Sequence, residues 1–148
     1  MKGARCSDVG HPGWLALRAA LWPQCSRGGH AAGMADKVAH PGRYAAFVAR
    51  DGGGDAAGFA EASIRTDRVN GTDASPVAFL EGLYVAPRTR RQGCARALVA
   101  AVAAWRRACG CGEFASDANL ANTDSHAMHR ALGFVETERV VYFRQLLR

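Results

Sequence analysis

An arginine- and glycine-containing turn between a strand pattern and a helix pattern is the clearest chemical feature of the sequence. The turn carries Arg90, Arg91 and Gly93, and the helix pattern after it adds Arg96. Because the first N–H groups of a helix lack intrahelical partners, a helix start of this kind binds anions such as a pyrophosphate. Glycine allows close approach of the backbone, and guanidinium groups add charged, fork-shaped donors. The alternative is an exposed loop whose arginines only reflect composition.

Two carboxylates stand where strand patterns would bring them to an active site. Glu81 interrupts the otherwise apolar strand pattern Val77–Val85, where a carboxylate is costly unless it is paired or used. Asp117 ends a short strand pattern at residues 113–117, and sites of α/β proteins form at the carboxyl ends of sheet strands. The alternatives are an outward-facing strand residue for Glu81 and a helix cap for Asp117.

Length and composition are those of an ordinary globular protein. The chain has 148 residues, of which 49% are hydrophobic and 22% charged, so disorder, collagen and coiled coil are excluded as whole-chain descriptions. We expect one domain, residues 1–148. No apolar run approaches the length that spans a bilayer, and no signal-peptide pattern is present, so we expect a cytoplasmic protein with no membrane partner. The odd count of five cysteines predicts reduced thiols.

The net charge of +6 invites a nucleic-acid function, but its origin argues against one. Only two of the 19 basic residues are lysines, which indicates a compositional bias toward arginine. Residues 88–107 nevertheless hold six arginines and no acid, which favours a local anion partner. No nucleic-acid recognition motif is present, so we expect no such partner. Cys109 and Cys111 could form half of a metal site, but no second pair has suitable spacing, so no metal is expected.

The elements that must position these residues follow from periodicity and turn signals. Helix patterns cover residues 12–22, 93–109 and 122–132, with a short helix near 31–39 inside a predicted loop. Strand patterns cover Tyr44–Arg50, 56–69, Val77–Val85, 113–117 and 140–147, whereas residues 1–10 make a poor strand. Turns are expected at residues 51–55 and 70–71. This order predicts an α/β (α+β) fold with a mixed sheet and the 93–109 helix against one face.

Three short motifs, in order, resemble the GCN5-related N-acetyltransferases. Arg90-x-x-Gly93-x-Ala95 is similar to that superfamily's acetyl-CoA pyrophosphate loop, and it lies between the expected strand and helix. Downstream, Asn122 stands seven residues before His129, and Ala131-Leu-Gly-Phe134 follows, as in the family's closing segment. The resemblance implies a single-domain acetyltransferase fold, with a mixed, mostly antiparallel sheet whose central strands splay apart and are flanked by helices.

Longer motifs resemble one branch of that superfamily, the aminoglycoside 6'-N-acetyltransferases. The matching segments are 21–23 (LWP), 61–65 (EASIR), 69–71 (VNG), 75–76 (SP), 79–82 (FLEG), 115–117 (ASD) and 131–140 (ALGFVETERV). The resemblance implies acetyl-CoA-dependent acetylation of the drug's 6'-amine by direct transfer in a ternary complex, and hence antibiotic resistance. It also implies a homodimer that uses the C-terminal strand. The alternative acceptor is another polycationic amine, such as a polyamine or a peptide.

The resemblance assigns residues to the acetyl-CoA site. The pantetheine arm would lie along Leu83, Tyr84 and Val85, where a backbone N–H would polarise the thioester carbonyl. Asn122 would bond the same arm. His129 would lie near the sulfur, either as the general acid for the thiolate or as a packing and hydrogen-bonding residue. The residues implied around the pyrophosphate are Arg90, Arg91, Gln92, Gly93, Cys94, Ala95 and Arg96.

The resemblance also assigns the acceptor side. Glu81 would accept the proton of the amine, directly or through a water, and Asp117 is the second candidate carboxylate. Trp22 and Glu138 would complete the drug site, although Trp22 could instead pack in the core and Glu138 could be a surface residue. Arg68 departs from the pattern, because a cation facing the drug would repel it. Cys94 at a helix N-terminus could have a lowered pKa, but no acyl-cysteine intermediate is expected.

Overall fold

The computed structural model describes residues 1–148 and contains a five-stranded sheet in the order β1-β2-β3-β4-β5. The strands are β1 Gly3–Arg5, β2 Tyr44–Arg50, β3 Ala56–Arg65, β4 Val77–Val85 and β5 Glu113–Ala115. The helices are α1 Trp14–Leu21, α2 Arg27–Ala39, α3 Cys94–Ala108 and α4 Thr123–Ala131. The predicted α/β class and mixed, mostly antiparallel sheet are confirmed.

The sheet changes direction once, between β4 and β5. The first four strands pair antiparallel in sequence order, and β5 pairs parallel to β4 after the α3 crossover. That parallel pairing ends with Phe79 opposite Ala115, so residues 80–85 of β4 have a strand partner on one side only. A bulge in the β3–β4 ladder leaves Glu81 without a partner between the pairs made by Leu80 and Gly82. β4 therefore separates from β5 just before Glu81, which is the residue that the bulge leaves unpaired on the β3 side.

Apolar side chains cover both faces of the sheet. On one face, Leu98, Val102 and Trp105 of α3 pack in a core cluster with residues of β2, β3 and β4. On the other face, Trp14 of α1 and Met34 of α2 pack with residues of β2 and β3. The alternate side chains of β2 and β3 thus enter two different cores, which explains why these strands are apolar nearly throughout.

Two N-terminal expectations are wrong. Residues 1–10 were expected to make a poor strand, yet Gly3–Arg5 pairs with β2, because backbone bonding to a ready edge needs little intrinsic propensity. The helix expected near 31–39 begins earlier, at Arg27. The Ser26 hydroxyl oxygen accepts a 3.0 Å hydrogen bond from the Gly29 N–H and so caps the helix. This cap and the tertiary packing outweigh the helix-breaking tendency of Gly28 and Gly29.

Two strand expectations also need correction. β3 ends at Arg65 rather than at residue 69, and Val69 instead enters a small core with Val77 and Phe79. Residues 140–147 form no strand, because their backbone pairs with neither free edge of the sheet. The segment from 134 to 148, here called the C-terminal arm, is almost entirely exposed. Other elements match their predicted positions to within a few residues.

Two further findings concern the chain as a whole. None of the helices has the length and apolar character needed to cross a bilayer. All five cysteine thiols are free, and three of them, Cys6, Cys94 and Cys111, are buried. Burial raises the pKa of the Cys6 thiol to about 12, so this thiol is protonated and serves as a small apolar core residue.

We expect Leu98→Ala to destabilise the fold by about 3 kcal/mol, because it opens a cavity between α3 and the sheet where the side chain is fully buried. Urea unfolding followed by circular dichroism measures the change. Leu120→Ala is the matched control, since Leu120 is 64% exposed and the same truncation should change stability by less than about 0.5 kcal/mol. Equal effects at both positions would contradict the described α3 packing.

Candidate active site

The segment between β4 and α3 forms a cradle of backbone N–H groups. Gly93 stands at the helix N-cap with φ 84°, and Arg91 also has positive φ, at 64°. Left-handed residues in such turns bring successive N–H groups to one side, where they form an anion-binding nest. No acidic residue lies in the first turn of α3. The turn therefore has a backbone conformation that suits the expected anion site.

The arginines around this cradle differ in what they contact. Arg88 donates a 2.6 Å hydrogen bond to Asp51, and this bond lowers the pKa of the Asp51 carboxyl. Arg90 donates through Nε to the Val85 carbonyl oxygen, which holds the turn against the end of β4. Arg96 reaches the Ala131 carbonyl oxygen and so ties α3 to the end of α4. Arg91 is exposed at the mouth of the turn.

Cys94 does not have the lowered pKa expected from its position. The thiol is buried in the core beneath the cradle, and this burial raises its pKa. A protonated, buried thiol is a poor nucleophile. Cys94 can therefore serve the cradle through its backbone N–H, while its side chain anchors the helix start in the core.

The unpaired side of β4 leads from the centre of the sheet to the cradle. Leu83, Tyr84 and Val85 occupy this stretch and are partly buried, as a strand edge open to a ligand would be. Gly82 comes just before them. A Cβ at Gly82 would lie only 2.7 Å from the ring of Trp22, so glycine is required for this close contact. The ring of Trp22 thus covers β4 immediately after the bulge.

A cavity of about 600 Å³ opens beside the bulge, between β4 and the α1–α2 region. Its lining includes Arg18, Trp22, Lys37, Tyr44, Glu61 and Glu81. The structure therefore brings together two predicted acceptor residues, Trp22 and Glu81, at the place where the central strands part. The Glu81 carboxylate is paired with Arg65 and with the Ser63 hydroxyl.

The floor of the cavity is a buried cluster of charges. Glu61 is fully buried, and its two carboxylate oxygens accept hydrogen bonds from Arg18 at 2.5 and 3.0 Å. Lys37 lies 3.3 Å from the same carboxylate, and the Trp14 indole N–H donates to it at 3.2 Å. Arg18 also contacts His30. Because a buried carboxylate needs such partners, the cluster ties α1 and α2 to β3.

Arg18 connects this cluster to the wall of the cavity. Its guanidinium carbon lies 4.9 Å from the centre of the Trp22 ring, within the range of a cation–π contact. The other side of Trp22 meets Phe59 edge to face at 5.8 Å. Trp22 is thus half in the core and half in the cavity, which combines the two roles considered for it.

Three residues expected near the acceptor lie outside the cavity. Asp117 is exposed two residues beyond β5, and extending the β4–β5 register by two places sets it level with Glu81 across the parted strands. It caps no helix, since Asn122 is the N-cap of α4. Glu138 is exposed on the C-terminal arm, beside Gly71. Arg68 is exposed, and it does not line the cavity.

Asn122 and His129 are fixed by local hydrogen bonds. The Asn122 side-chain oxygen accepts from the Ser125 N–H at 3.1 Å, so its amide group is the part free for a ligand. His129 Nδ1 lies 2.7 Å from the Ser125 carbonyl oxygen and therefore carries a proton. In the neutral ring, Nε2 then accepts from the Ser116 hydroxyl at 2.7 Å. This arrangement favours the packing and hydrogen-bonding role of His129 over the general-acid role.

The residues that hold the site together were missed at the level of sequence. Glu61, Ser63 and Arg65 alternate along one face of β3 and contact Arg18 or Glu81. Glu61 interrupts an apolar strand pattern just as Glu81 does, so the same reasoning would have singled it out. Arg18 carries a weaker signal, a single charge within the apolar pattern of α1.

The order of strand, anion cradle and helix, with a strand that parts from its neighbour, agrees with the comparison to known families. Residues 14–134 match the acetyltransferase (GNAT) family. The chain belongs to this family.

Among curated acetyltransferases, the chain is similar to an aminoglycoside N(6')-acetyltransferase type 1 from Serratia marcescens. The two are 51% identical over 142 residues, which are 96% of this chain and 97% of that protein. An enzyme of the same name from Stenotrophomonas maltophilia is 48% identical over 90% of this chain and 86% of its own length.

Solved acetyltransferase structures agree over nearly the whole chain. AAC(6')-Iy in complex with the bisubstrate analogue CoA-S-monomethyl-acetylneamine gives a TM-score of 0.91 at 42% identity, covering 99% of this chain and 98% of that one. AAC(6')-IG from Acinetobacter haemolyticus gives a TM-score of 0.90 at 43% identity and covers 100% of both chains.

No group of three or more His, Cys, Asp or Glu side chains is arranged to hold a metal ion.

We expect Glu61→Gln to destabilise the protein by about 3 kcal/mol or more, because it leaves Arg18 and Lys37 without their buried counter-charge. Thermal and urea unfolding measure the loss. Glu136→Gln is the matched control, since it removes the same charge from an exposed pair with Arg139 and should change stability little. A Glu61→Gln protein as stable as the wild type would show that the cluster does not hold α1 and α2 in place.

Proposed function

We propose that this protein transfers the acetyl group of acetyl-CoA to the 6'-amine of aminoglycoside antibiotics and so confers resistance. One observation carries the proposal: residues 81–96 place a carboxylate in a cavity, an open strand edge and an anion cradle one after another along the chain. The high identity to aminoglycoside N(6')-acetyltransferases over nearly full length supports the choice of acceptor.

The cosubstrate side is built from backbone and arginine. The N–H groups at the start of α3 would hold the pyrophosphate, with Arg91 and Arg96 adding charge and Arg90 and Gln92 shaping the turn. The open edge at Leu83–Val85 would take the pantetheine arm by strand-like hydrogen bonding. The free amide group of Asn122 would bond that arm from α4. No acidic side chain in the first turn of α3 opposes the anion.

The chain's own groups account for the transfer. A backbone N–H on the open edge of β4 would stabilise the oxyanion that forms when the neutral amine attacks the thioester carbonyl. Glu81 would take the proton that the amine loses, while the C–N bond forms and the C–S bond breaks to release the CoA thiolate, which then takes a proton from solvent. Holding both substrates together supplies much of the rate by proximity. The buried Cys94 thiol supports direct transfer without an acyl-enzyme.

The acceptor side would combine one flat wall with carboxylates. Trp22 offers an apolar face for a sugar ring, and Glu81 offers a negative charge inside the cavity. Asp117 stands across the parted strands and would meet an amine on the outer side of the drug. Glu138 would contribute from the C-terminal arm. Arg68 does not line the cavity, so its charge would not face a drug bound there.

We further propose that residues 1–148 form a single acetyltransferase domain that works in the cytoplasm. The sheet and both cores draw on elements from Gly3 to Ala115, which supports one cooperative unit. Five free thiols fit a reducing compartment, where thiols stay reduced.

The acceptor is tested by thiol release from acetyl-CoA with kanamycin, an aminoglycoside carrying a hydroxyl at the 6' position, spermidine and a basic peptide. We expect turnover with kanamycin and none with the 6'-hydroxyl drug. Glu81→Gln should lower kcat/KM for kanamycin about 100-fold, because general-base help of this size is lost, while acetyl-CoA binds as before. Turnover only with spermidine or the peptide would show that the acceptor is that amine rather than an aminoglycoside. Failure to bind acetyl-CoA would overturn the whole proposal.

The C-terminal arm supports a homodimer. Its large apolar side chains are exposed, among them Val141 at 76%, Tyr142 at 82%, Phe143 at 92% and Leu147 at 90%. β5 lies at the edge of the sheet and pairs with β4 on one side only, so its other edge is free for a further strand. We propose a homodimer in which the C-terminal arm of each copy packs along the free edge of β5 in the other copy. This exchange would bury the apolar side chains of both arms.

We expect the full chain to be a dimer in size-exclusion chromatography with light scattering at micromolar concentration. Phe143→Asp with Leu147→Asp should give a folded monomer, because two charges would have to be buried in the interface. Leu120→Asp is the control, since Leu120 is exposed but lies outside the arm. A monomeric wild type, or a double variant that stays dimeric, would contradict the arm exchange.

A further inference from the structure

The two oxygens of the Glu81 carboxylate have different surroundings. Oε1 accepts three hydrogen bonds, from Ser63 Oγ at 2.5 Å, from Arg65 Nη2 at 2.9 Å and from Arg65 Nε at 3.2 Å. Oε2 accepts only one, from Arg65 Nη2 at 3.1 Å. A carboxylate has about four acceptor positions on its two oxygens. The hydrogen bonds therefore use up Oε1 and leave lone-pair capacity on Oε2.

Arg65 is itself held in one orientation. Its guanidinium carbon lies 3.7 Å from the centre of the Phe79 ring, which is a close cation–π contact. Phe79 is buried, and it lies opposite Ser63 in the β3–β4 register. The ring thus restrains the position from which the guanidinium fork reaches Glu81. Ser63 and Arg65 project from the same face of β3, two residues apart.

The position of Glu81 explains why such support is needed. It is the unpaired residue of the bulge, so the backbone ladder restrains it less than its neighbours. Its side chain remains 31% exposed, and that of Arg65 37%, so their ion pair adds little to the stability of the fold. A small displacement of a reacting group can nevertheless cost about 100-fold in rate. The pair is therefore better suited to orientation than to stability.

We propose that Arg65 and Ser63 are positioning residues that hold Glu81 through Oε1 and present Oε2 to the acceptor amine. This inference rests on the proposed function, in which Glu81 takes the proton of the attacking amine. The N–H bond of the amine breaks, an O–H bond forms at Oε2, and the proton then passes to solvent through the open cavity. Arg65 stays bound to Oε1 throughout and neither gives nor takes a proton.

The test is a double-mutant cycle measured by thiol release from acetyl-CoA with kanamycin. We expect Arg65→Gln to lower kcat about tenfold or more, with the affinities for kanamycin and acetyl-CoA, measured by calorimetry, changed less than about threefold. In a Glu81→Gln background the same substitution should have no further effect, because the group that it positions is gone. Ser63→Ala should show the same dependence on Glu81 with a smaller loss.

Two more variants complete the design. Arg65→Lys keeps the charge but not the fork, so it should recover only part of the rate. Lys2→Gln removes a charge from the exposed N-terminus and should leave kinetics unchanged. Melting temperatures of all variants confirm that each is folded. If Arg65→Gln unfolds the protein, the double-mutant cycle with Glu81→Gln is measured with Ser63→Ala and Arg65→Lys instead.

Several outcomes would overturn the inference. Equal losses from Arg65→Gln in both backgrounds would show that Arg65 acts independently of Glu81. Full activity of Arg65→Lys would show that charge alone suffices, without positioning. If Glu81→Gln left the activity unchanged, Glu81 would not be the general base, and the positioning role would fall with it. If the wild type acetylates a different amine but not kanamycin, the proposed function fails while the cycle, run on that amine, still decides the role of Arg65.

Discussion

The parting of β4 from β5 is the constraint on which the site depends. The two strands pair only as far as Phe79 and Ala115, and immediately afterwards a bulge leaves Glu81 unpaired on the other side of β4. One strand thereby provides a firm core at its start, an open hydrogen-bonding edge at its end, and a carboxylate at the junction. The cradle lies in the turn that follows the end of this strand and leads into α3.

Charge is distributed around the cavity in two layers. The floor holds Arg18 and Lys37 against a single carboxylate, Glu61, so it is positive but buried and internally bonded. The wall toward β4 carries Glu81, whose charge is shared with Arg65. A cationic acceptor bound in this cavity would therefore meet a carboxylate on β4, with the cation of Arg18 lying behind the ring of Trp22. This asymmetry would orient a polycation without requiring an acidic protein, which this chain is not.

Sequence reasoning found the parts that depend on local pattern. Tyr44–Arg50 and Val77–Val85 were placed to the residue, because each apolar strand ends at a clear turn signal. The start of α3 at Cys94 followed from Gly93. The same reasoning singled out Glu81, which the structure places in a cavity, whereas Trp22 in that cavity was expected only from the family resemblance. These successes share a short range: the information lies within a few residues of the feature.

The failures share a dependence on distant partners. The burial of Cys94 comes from packing on the sheet, and it reverses the pKa shift that its helix position alone suggests. β1 exists because it pairs with the edge of β2, and the strand expected at 140–147 is missing because that segment pairs with no edge of its own sheet. The pairing of Glu61 with Arg18 joins residues 43 positions apart, which no local pattern encodes.

The cluster beneath the cavity also bears on how such an enzyme can evolve. Glu61, Arg18 and Lys37 come from three elements, and replacing Glu61 leaves both cations without their buried counter-charge. Exchanging the whole set for apolar residues could be neutral, but the single steps that lead there pass through destabilised proteins. During selection for new acceptors, substitutions in the floor of the cavity are therefore tolerated less than substitutions elsewhere. Selection will act more freely on exposed residues outside the cavity, such as Arg68, Asp117 and Glu138, which can change one at a time.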